Sequence, residues 1–393
     1  MSWKTSDAMS ERVEFIGLLR SGQRTLASLC REFGISRPTG YKWAERFRLE
    51  GLDGLKERSR APLQRPQQTD PEVQGLLIRA RKAHPSWGPR KLKAWLEDRD
   101  GALQLPAPST IGDLLKREGL VRPRRRRLKH PAAKSPFGQQ ILEPNQEWDV
   151  DFKGEFRLGD GKYCYPLTIS DAFSRYLLEV RALSGVAGKG TRPFFERAFR
   201  EFGLPLTIRS DNGAPFAGIG LGRLSALSVW WIKLGILPVR GRPHHPQDNG
   251  RHERMHRTLK AETTRPPAFE SQGQQQRFDS FRKEYNDERP HEALGQRPPV
   301  RIYKASPRSY PERIPDVEYP GYYEVRKVGS GGVFTWKSQH VFVGFPLIGE
   351  HIGLRETEEG LWRVYFADVE LGVVSKVDSK DRKTGRVLPM CPV

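Results

Sequence analysis

Residues 148–180 read WDVDFKGEFRLGDGKYCYPLTISDAFSRYLLEV, and the reading of the fold turns on them. From 148 to 158 the apolar residues Trp148, Val150, Phe152, Phe156 and Leu158 fall on alternate positions, with Asp149, Asp151, Lys153, Glu155 and Arg157 between them. Successive side chains of a β-strand point to opposite faces, so this period predicts a strand with one buried and one charged face. Gly159-Asp160-Gly161 supplies a hairpin turn into a second strand over 163–169. Asp171 to Arg175 then turns the chain into a third strand over 176–180.

Outward from this meander the period changes. Phe194, Phe195, Ala198, Phe199 and Phe202 recur at helical spacing and end at Gly203, a C-cap residue. A short strand at Leu206, Thr207 and Ile208 delivers Ser210-Asp211-Asn212-Gly213. Three antiparallel strands, a helix, a strand, a helix, a strand and final helices describe an α/β RNase H-like core over 144–310. Beyond it, strand candidates at 322–328, 332–336, 339–343, 350–356, 361–367 and 369–376 alternate with Gly-containing turns, which predicts a small all-β barrel over 311–378. The remainder, 379–393, is a polar tail expected to be flexible.

Upstream, the sequence is helical. Val13, Ile16 and Leu19 suit one amphipathic helix, closed by Ser21-Gly22, and Leu26, Leu29, Cys30 and Phe33 suit a second. Gly34 ends it, and Ser36 is placed to N-cap a third helix from Arg37 to about 50, with Ala44 and Phe47 inward. Arg37, Thr39, Lys42 and Arg46 are left to face outward, the pattern of a helix-turn-helix over 1–60. The same spacing also suits a plain three-helix bundle with a solvated face. Helices expected at about 71–83, 89–98 and 108–118, with Pro89 opening the second, suggest another helix-turn-helix unit over 61–121, where Arg90 and Lys91 are candidate DNA contacts. A basic linker over 122–143 carries Arg124, Arg125, Arg126 and Arg127. The architecture is therefore multidomain, with all-α N-terminal domains, an α/β core and an all-β end.

Charge agrees with this division. The formal net charge is +20, and residues 1–142 hold +14 of it, 29 basic against 15 acidic side chains. A polyanionic partner, DNA, is expected for the N-terminal third. Cys30, Cys164 and Cys391 are far apart and form no CxxC pair, so neither a disulfide framework nor a zinc finger is encoded. No apolar signal segment opens the chain, and 224–239, its most apolar stretch, is short and contains Lys233. A cytoplasmic, nucleoid-associated location and no membrane partner are the expectation.

The chemistry rests on carboxylates. Phosphodiester chemistry uses two divalent ions roughly 3.5–4 Å apart, held by acidic side chains. Asp151 on the first strand, Asp211 after the fourth and Glu253 on the helix after His244-His245-Pro246-Gln247-Asp248-Asn249-Gly250 can supply them. Asp149 shares the strand face with Asp151 and is a rival for its place. Trp148-x-x-Asp151, Ser210-Asp211-Asn212-Gly213 and His245-Pro246-Gln247-x-x-Gly250-x-x-Glu253 resemble the three motifs of bacterial insertion-sequence DDE transposases with a retroviral-integrase-like core. The run from Tyr285-Asn286 through Arg289-Pro290-His291 to Pro298 resembles the segment closing that core.

The resemblance covers about 145–305 and implies Asp151, Asp211 and Glu253 as catalytic, metal-binding residues for two Mg²⁺ or Mn²⁺ ions. It implies DNA-phosphate contacts for His256, Arg257 and Lys260, and end-binding, cleavage and strand transfer on element ends and target DNA by a homodimer or larger multimer. It also favours Asp151 over Asp149. One departure is length: 41 residues separate Asp211 from Glu253, which predicts an extra turn or helix near 221–231. Two other readings stand beside it. His252-Glu253-Arg254-Met255-His256 satisfies the H-E-x-x-H pattern of zinc metalloproteases, and a helix-turn-helix regulator, or a domesticated transposase that no longer cuts, would share the N-terminal features.

Overall fold

The computed structural model describes residues 7–58, 69–121, 141–152, 154–218, 221–241, 250–337, 339–358 and 360–375. His244 to Asn249, Arg124 to Arg127, Lys153 and the tail 379–393 lie outside the described residues, as does most of the 122–143 linker. The chain divides into two compact units, 1–69 and 70–393.

The first unit is three helices, α1 Ala8–Arg20, α2 Leu26–Glu32 and α3 Arg37–Glu50, each opened by a side-chain cap. Asp7 accepts from the Met9 and Ser10 amides, Thr25 from Ser28 and Ser36 from Thr39. These bonds satisfy orphan N–H groups that the helices themselves leave open. Phe15, Ile16, Leu29, Cys30, Trp43 and Leu55 form the core, with Ala44 and Phe47 packed against it. Val13, expected inward, is exposed, because Phe15 and Ile16 set the buried stripe of α1. Gly40 lets α3 approach α2 closely: a Cβ there would stand 2.5 Å from Cys30 Sγ.

The second unit opens with α4 Pro71–Ala83, α5 Pro89–Arg99 and α6 Pro108–Arg117, all with Pro in the first turn, where the missing N–H is no loss. Leu77, Trp87, Leu92, Leu96, Ile111 and Leu115 are their shared core. The central sheet contains β1 Glu147–Phe152, β2 Phe156–Arg157, β3 Tyr163–Asp171, β4 Leu177–Leu183, β5 Thr207–Ser210 and β6 Leu237–Arg240. β3 pairs antiparallel with β1, β2 and β4, while β1–β5 and β5–β6 are parallel. Its helices are α7 Gly188–Phe202, α8 Ala226–Lys233, α9 Gly250–Thr263 and α10 Ser271–Asp287.

Both faces of this sheet are covered. Trp148, Val150, Leu167 and Ile169 pack under Phe195 and Phe199 of α7 and Trp230 and Trp231 of α8. Leu158, Leu177 and Val180 pack under Met255 and Leu259 of α9 and Phe278, Phe281 and Tyr285 of α10. The expected charged, open face of β1 is thus corrected: Asp149 is only 6% exposed. Glu147 and Asp149 are accommodated there by Arg209 of β5, bonded to both Glu147 oxygens at 2.8 and 2.7 Å and 3.9 Å from Asp149. Burial pushes the Asp149 carboxyl up to about 6.

The extra helix expected near 221–231 is α8, and it explains the most apolar stretch of the sequence. Trp230 and Trp231 join the central core, while Val229 and Ile232 join the C-terminal one. A helix buried on all sides has no polar face to keep.

The C-terminal strands are β7 Glu324–Lys327, β8 Val333–Trp336, β9 Gln339–Phe342, β10 His351–Glu358, β11 Leu361–Phe366 and β12 Val369–Ser375. They form a four-stranded sheet in the order β12-β11-β10-β7 and a separate β8–β9 hairpin. The expected barrel is not formed: among the described residues no pairing joins the hairpin to either edge of the sheet. Phe334 and Trp336 of the hairpin instead pack with Ile352, Leu354, Val364 and Phe366 of the sheet, so the apolar faces meet as layers.

Candidate active site

The parallel pairing of β1 and β5 positions two acidic residues. Glu147 lies opposite Thr207, Trp148 opposite Ile208 and Asp149 opposite Arg209. The ladder ends at Asp149 and Arg209; continued for two residues in the same register it would bring Asp151 level with Asp211, which directly follows β5. Parallel neighbours are about 4.8 Å apart, and carboxyl ends of strands are where open α/β sheets bind ligands. Asp211 is exposed and accepts from the Gly213 amide at 3.2 Å, while the adjacent Asn212 donates to the Gly241 carbonyl at 2.8 Å.

Glu253 sits on the exposed side of α9, between His252 and His256, which are 2% and 4% exposed. The two imidazoles turn into the sheet and converge on one hydroxyl. His252 Nε2 and His256 Nε2 each lie 2.7 Å from Thr168 Oγ1. Thr168, fully buried, is the strand partner of Asp151 and donates to its carbonyl oxygen at 3.1 Å. Ser170 Oγ lies 3.2 Å from His252 Nδ1, and His256 Nδ1 is 3.6 Å from Asp151 Oδ2. Burial drives His252 down to about 3, so it is neutral at ordinary pH.

Sequence reasoning missed Thr168 and Ser170. Their signal was available in the spacing: they are two apart on β3 and share a face, and two His residues four apart share a helix face. Asp171, read as a turn residue, is one: it accepts from the Asn145 and Ser174 amides at 2.7 Å and from Ser174 Oγ at 2.6 Å. Trp148 is wholly buried and donates to Asn145 Oδ1 at 3.0 Å. Asn286, from the closing motif, pairs with the Leu177 amide and carbonyl at 2.8 and 2.9 Å and so staples α10 to β4.

Residues 142–246 and 234–299 match profiles described as integrase core domain, residues 11–62 a helix-turn-helix domain and 39–115 a homeodomain-like domain. An uncharacterized 39.2 kDa protein of insertion element IS476 from Xanthomonas euvesicatoria is 27% identical over 180 residues, 44% of this chain and 50% of that protein. An uncharacterized 31.7 kDa protein of insertion element IS407 from Burkholderia multivorans is 26% identical over 152 residues, 38% of this chain and 52% of that one. The chain thus carries an integrase core domain together with helix-turn-helix segments, and it is similar to insertion-element proteins.

The chain spans about half the length of these relatives. A Gag-Pol polyprotein of baboon endogenous virus is 29% identical over 192 residues, 48% of this chain and 10% of the polyprotein. Among solved structures, the HTLV-2 integrase catalytic core domain in complex with magnesium is 18% identical and covers 42% of this chain and 100% of its own, with a TM-score of 0.33.

The expected DNA contacts fall into different settings. Arg37 and Lys42 are exposed, Thr39 and Arg46 half-buried. Arg12, Lys42 and Arg46 stand 3.9, 4.8 and 5.1 Å from the Trp43 ring centre. Arg90 is paired with Glu292 at 3.0 Å, and Lys91 is half-buried near Arg289, Glu262 and Glu292. Arg257 and Lys260 are exposed on the same side of α9 as Glu253. His256, expected beside them as a phosphate contact, is buried instead, its ring committed to Thr168.

Proposed function

We propose that this chain binds the terminal inverted repeats of a mobile element, cleaves at its ends and joins the 3′-OH ends to target DNA. Two observations support the reading: the β1–β5 register, which if continued two residues past its last pair brings Asp151 level with Asp211, and the approach of α9, which bears Glu253, to Asp151 through His256. Hard divalent cations take carboxylate oxygens, and three carboxylates from two strand ends and a helix fit that demand. Asp151, Asp211 and Glu253 would hold two Mg²⁺ or Mn²⁺ ions. When bound, such a pair activates the attacking oxygen and stabilises the leaving one.

The protein's own share is placement and charge. Arg257 and Lys260 lie along the exposed side of α9 and take DNA phosphates next to the carboxylates. Arg37 and Lys42 on α3 contact the element ends. Joining two ends calls for at least a dimer on DNA. No described helix is long and apolar enough to cross a membrane, and the place of action is the bacterial cytoplasm, on nucleoid DNA. The geometry does not assemble the zinc-protease pattern as such: His252 and His256 turn inward to Thr168, with ligand atoms within 4.8 Å of Asp151, while Glu253 stays on the exposed side of α9.

The test is metal-dependent nicking and joining of duplexes carrying the element ends. Asp151→Asn, Asp211→Asn and Glu253→Gln keep side-chain size but remove charge. Each variant is expected to fold, to bind end DNA and to lose both reactions. A wild-type protein that binds the ends with Mg²⁺ or Mn²⁺ present and never cuts them is a regulator, and the proposal falls.

A further inference from the structure

Thr168 is a single hydroxyl shared by three elements. It has one proton, and its bond to the Asp151 carbonyl at 3.1 Å uses it. Both imidazoles at 2.7 Å must therefore donate, so His252 and His256 each carry the proton on Nε2. His252 Nδ1 is then an acceptor and takes the Ser170 hydroxyl at 3.2 Å. The result is a buried network from β1 through β3 to the first turns of α9. Glu253, between the two anchored histidines, has its helix fixed in rotation and height against the strand that bears Asp151.

We propose that Thr168, His252 and His256 are positioning residues that clamp α9 to β1, setting the Glu253 carboxylate relative to the Asp151 carboxylate for metal binding. This rests on the reading of Asp151 and Glu253 as metal ligands given above. The clamp acts through the Nε2–Thr168 bonds, and His256 Nδ1, 3.6 Å from Asp151 Oδ2, is beyond direct hydrogen-bond length. Groups that orient metal ligands from behind typically change metal affinity by about 10–100-fold when removed.

The experiment titrates the full chain with Mn²⁺ alone and reads free Mn²⁺ by electron paramagnetic resonance, so that no turnover is needed. Thr168→Val deletes the hydroxyl at nearly constant volume and is expected to weaken Mn²⁺ binding by about tenfold or more, while Thr168→Ser restores it to within about threefold. Thr168→Val leaves two buried N–H groups without an acceptor, and if it does not fold, a pair at 256 carries the test. The amide nitrogen of His256→Gln reaches the place of Nε2, whereas that of His256→Asn reaches only the place of Nδ1. Gln is expected to keep near-wild-type affinity and Asn to lose about tenfold.

The reverse ranking at 256 overturns the clamp and makes Nδ1 itself the important atom. Asp151→Asn is the reference. If it binds Mn²⁺ as the wild type does, the metal-site reading fails and takes the clamp with it. If Asp151→Asn is weakened while Thr168→Val and His256→Asn bind normally, the clamp alone is wrong.

Discussion

Asp171 stands twenty residues after Asp151 on the same sheet and is the more deeply buried of the two carboxylates. Asp171 is 1% exposed and spends its oxygens on two backbone amides and one hydroxyl, which fixes the turn between β3 and β4 and ties it to Asn145. Such a residue is structural, and its loss should be read in stability. Asp171→Ala leaves three buried donors without an acceptor, each costing about 1–3 kcal/mol, so urea unfolding should show a loss of roughly 3 kcal/mol or more. Asp171→Asn keeps one acceptor oxygen and should recover part of that. A loss below about 1 kcal/mol in the Ala variant would mean that the turn is held by something else.

At the same scale, the histidines show what spacing alone leaves open. At 100° per residue, His256 lies at the border between the exposed side carrying Glu253, Arg257 and Lys260 and the buried side carrying Met255 and Leu259. Helical periodicity puts it on either side. Only the position of Thr168 on a strand eighty-eight residues earlier decides the matter.

Among the elements, those whose signals are local were legible. Pro at the starts of α4, α5 and α6, Ser36 before α3 and Gly203 after α7 are chemical marks that sit where the helices begin or end. The six C-terminal strands also fall close to their expected limits. Their assembly did not, because alternation of residues along a strand carries no record of its partner: β7 pairs with β10, and β8 with β9. Likewise the period of two in β1 separated two faces correctly, but nothing local indicates that α9 comes to the polar one, where His256 lies 3.6 Å from Asp151.

Lys91 offers a test at this scale, because α5 presents it to carboxylates and guanidiniums of the same unit rather than to open solvent. Burial, with Arg289 nearby, lowers it from 10.5 to about 8. Between those values the unfolded chain binds the proton and the folded chain does not, so stability rises with pH across the window. Below about pH 8 the full cost of burying the cation is present. Lys91→Met should therefore stabilise the protein at pH 7 by on the order of 1–2 kcal/mol. Its advantage should shrink as pH rises toward 10.5, in thermal or urea unfolding followed against pH. A Met variant that is less stable at pH 7 would show that the attraction to Glu262 and Glu292 outweighs desolvation.

For the whole molecule, the division at 69/70 separates a unit with a single aromatic core from a unit that holds four hydrophobic cores. The first unit has capped helices and buried Phe15, Ile16, Leu29, Cys30 and Trp43, which is what an independently folding domain needs. A fragment of residues 1–69 should accordingly fold alone and, on the functional reading proposed, bind end DNA without any metal. Phosphate contacts release counterions, so the logarithm of its affinity should fall linearly with the logarithm of salt concentration, by about 0.9 per contact. Arg37→Ala and Lys42→Ala remove exposed charges from α3, and because Lys42 also lies 4.8 Å from the ring of the core residue Trp43, the fold of that variant is checked alongside. Each is expected to weaken binding. A contact to phosphate should also flatten the salt slope by about 1, whereas a contact to a base edge should instead cost about 1–3 kcal/mol on the matching sequence only. Fluorescence anisotropy over a salt series, with matched and scrambled duplexes, distinguishes the two. A folded fragment that binds neither duplex at low salt would remove the first unit from DNA recognition and leave that task to the second.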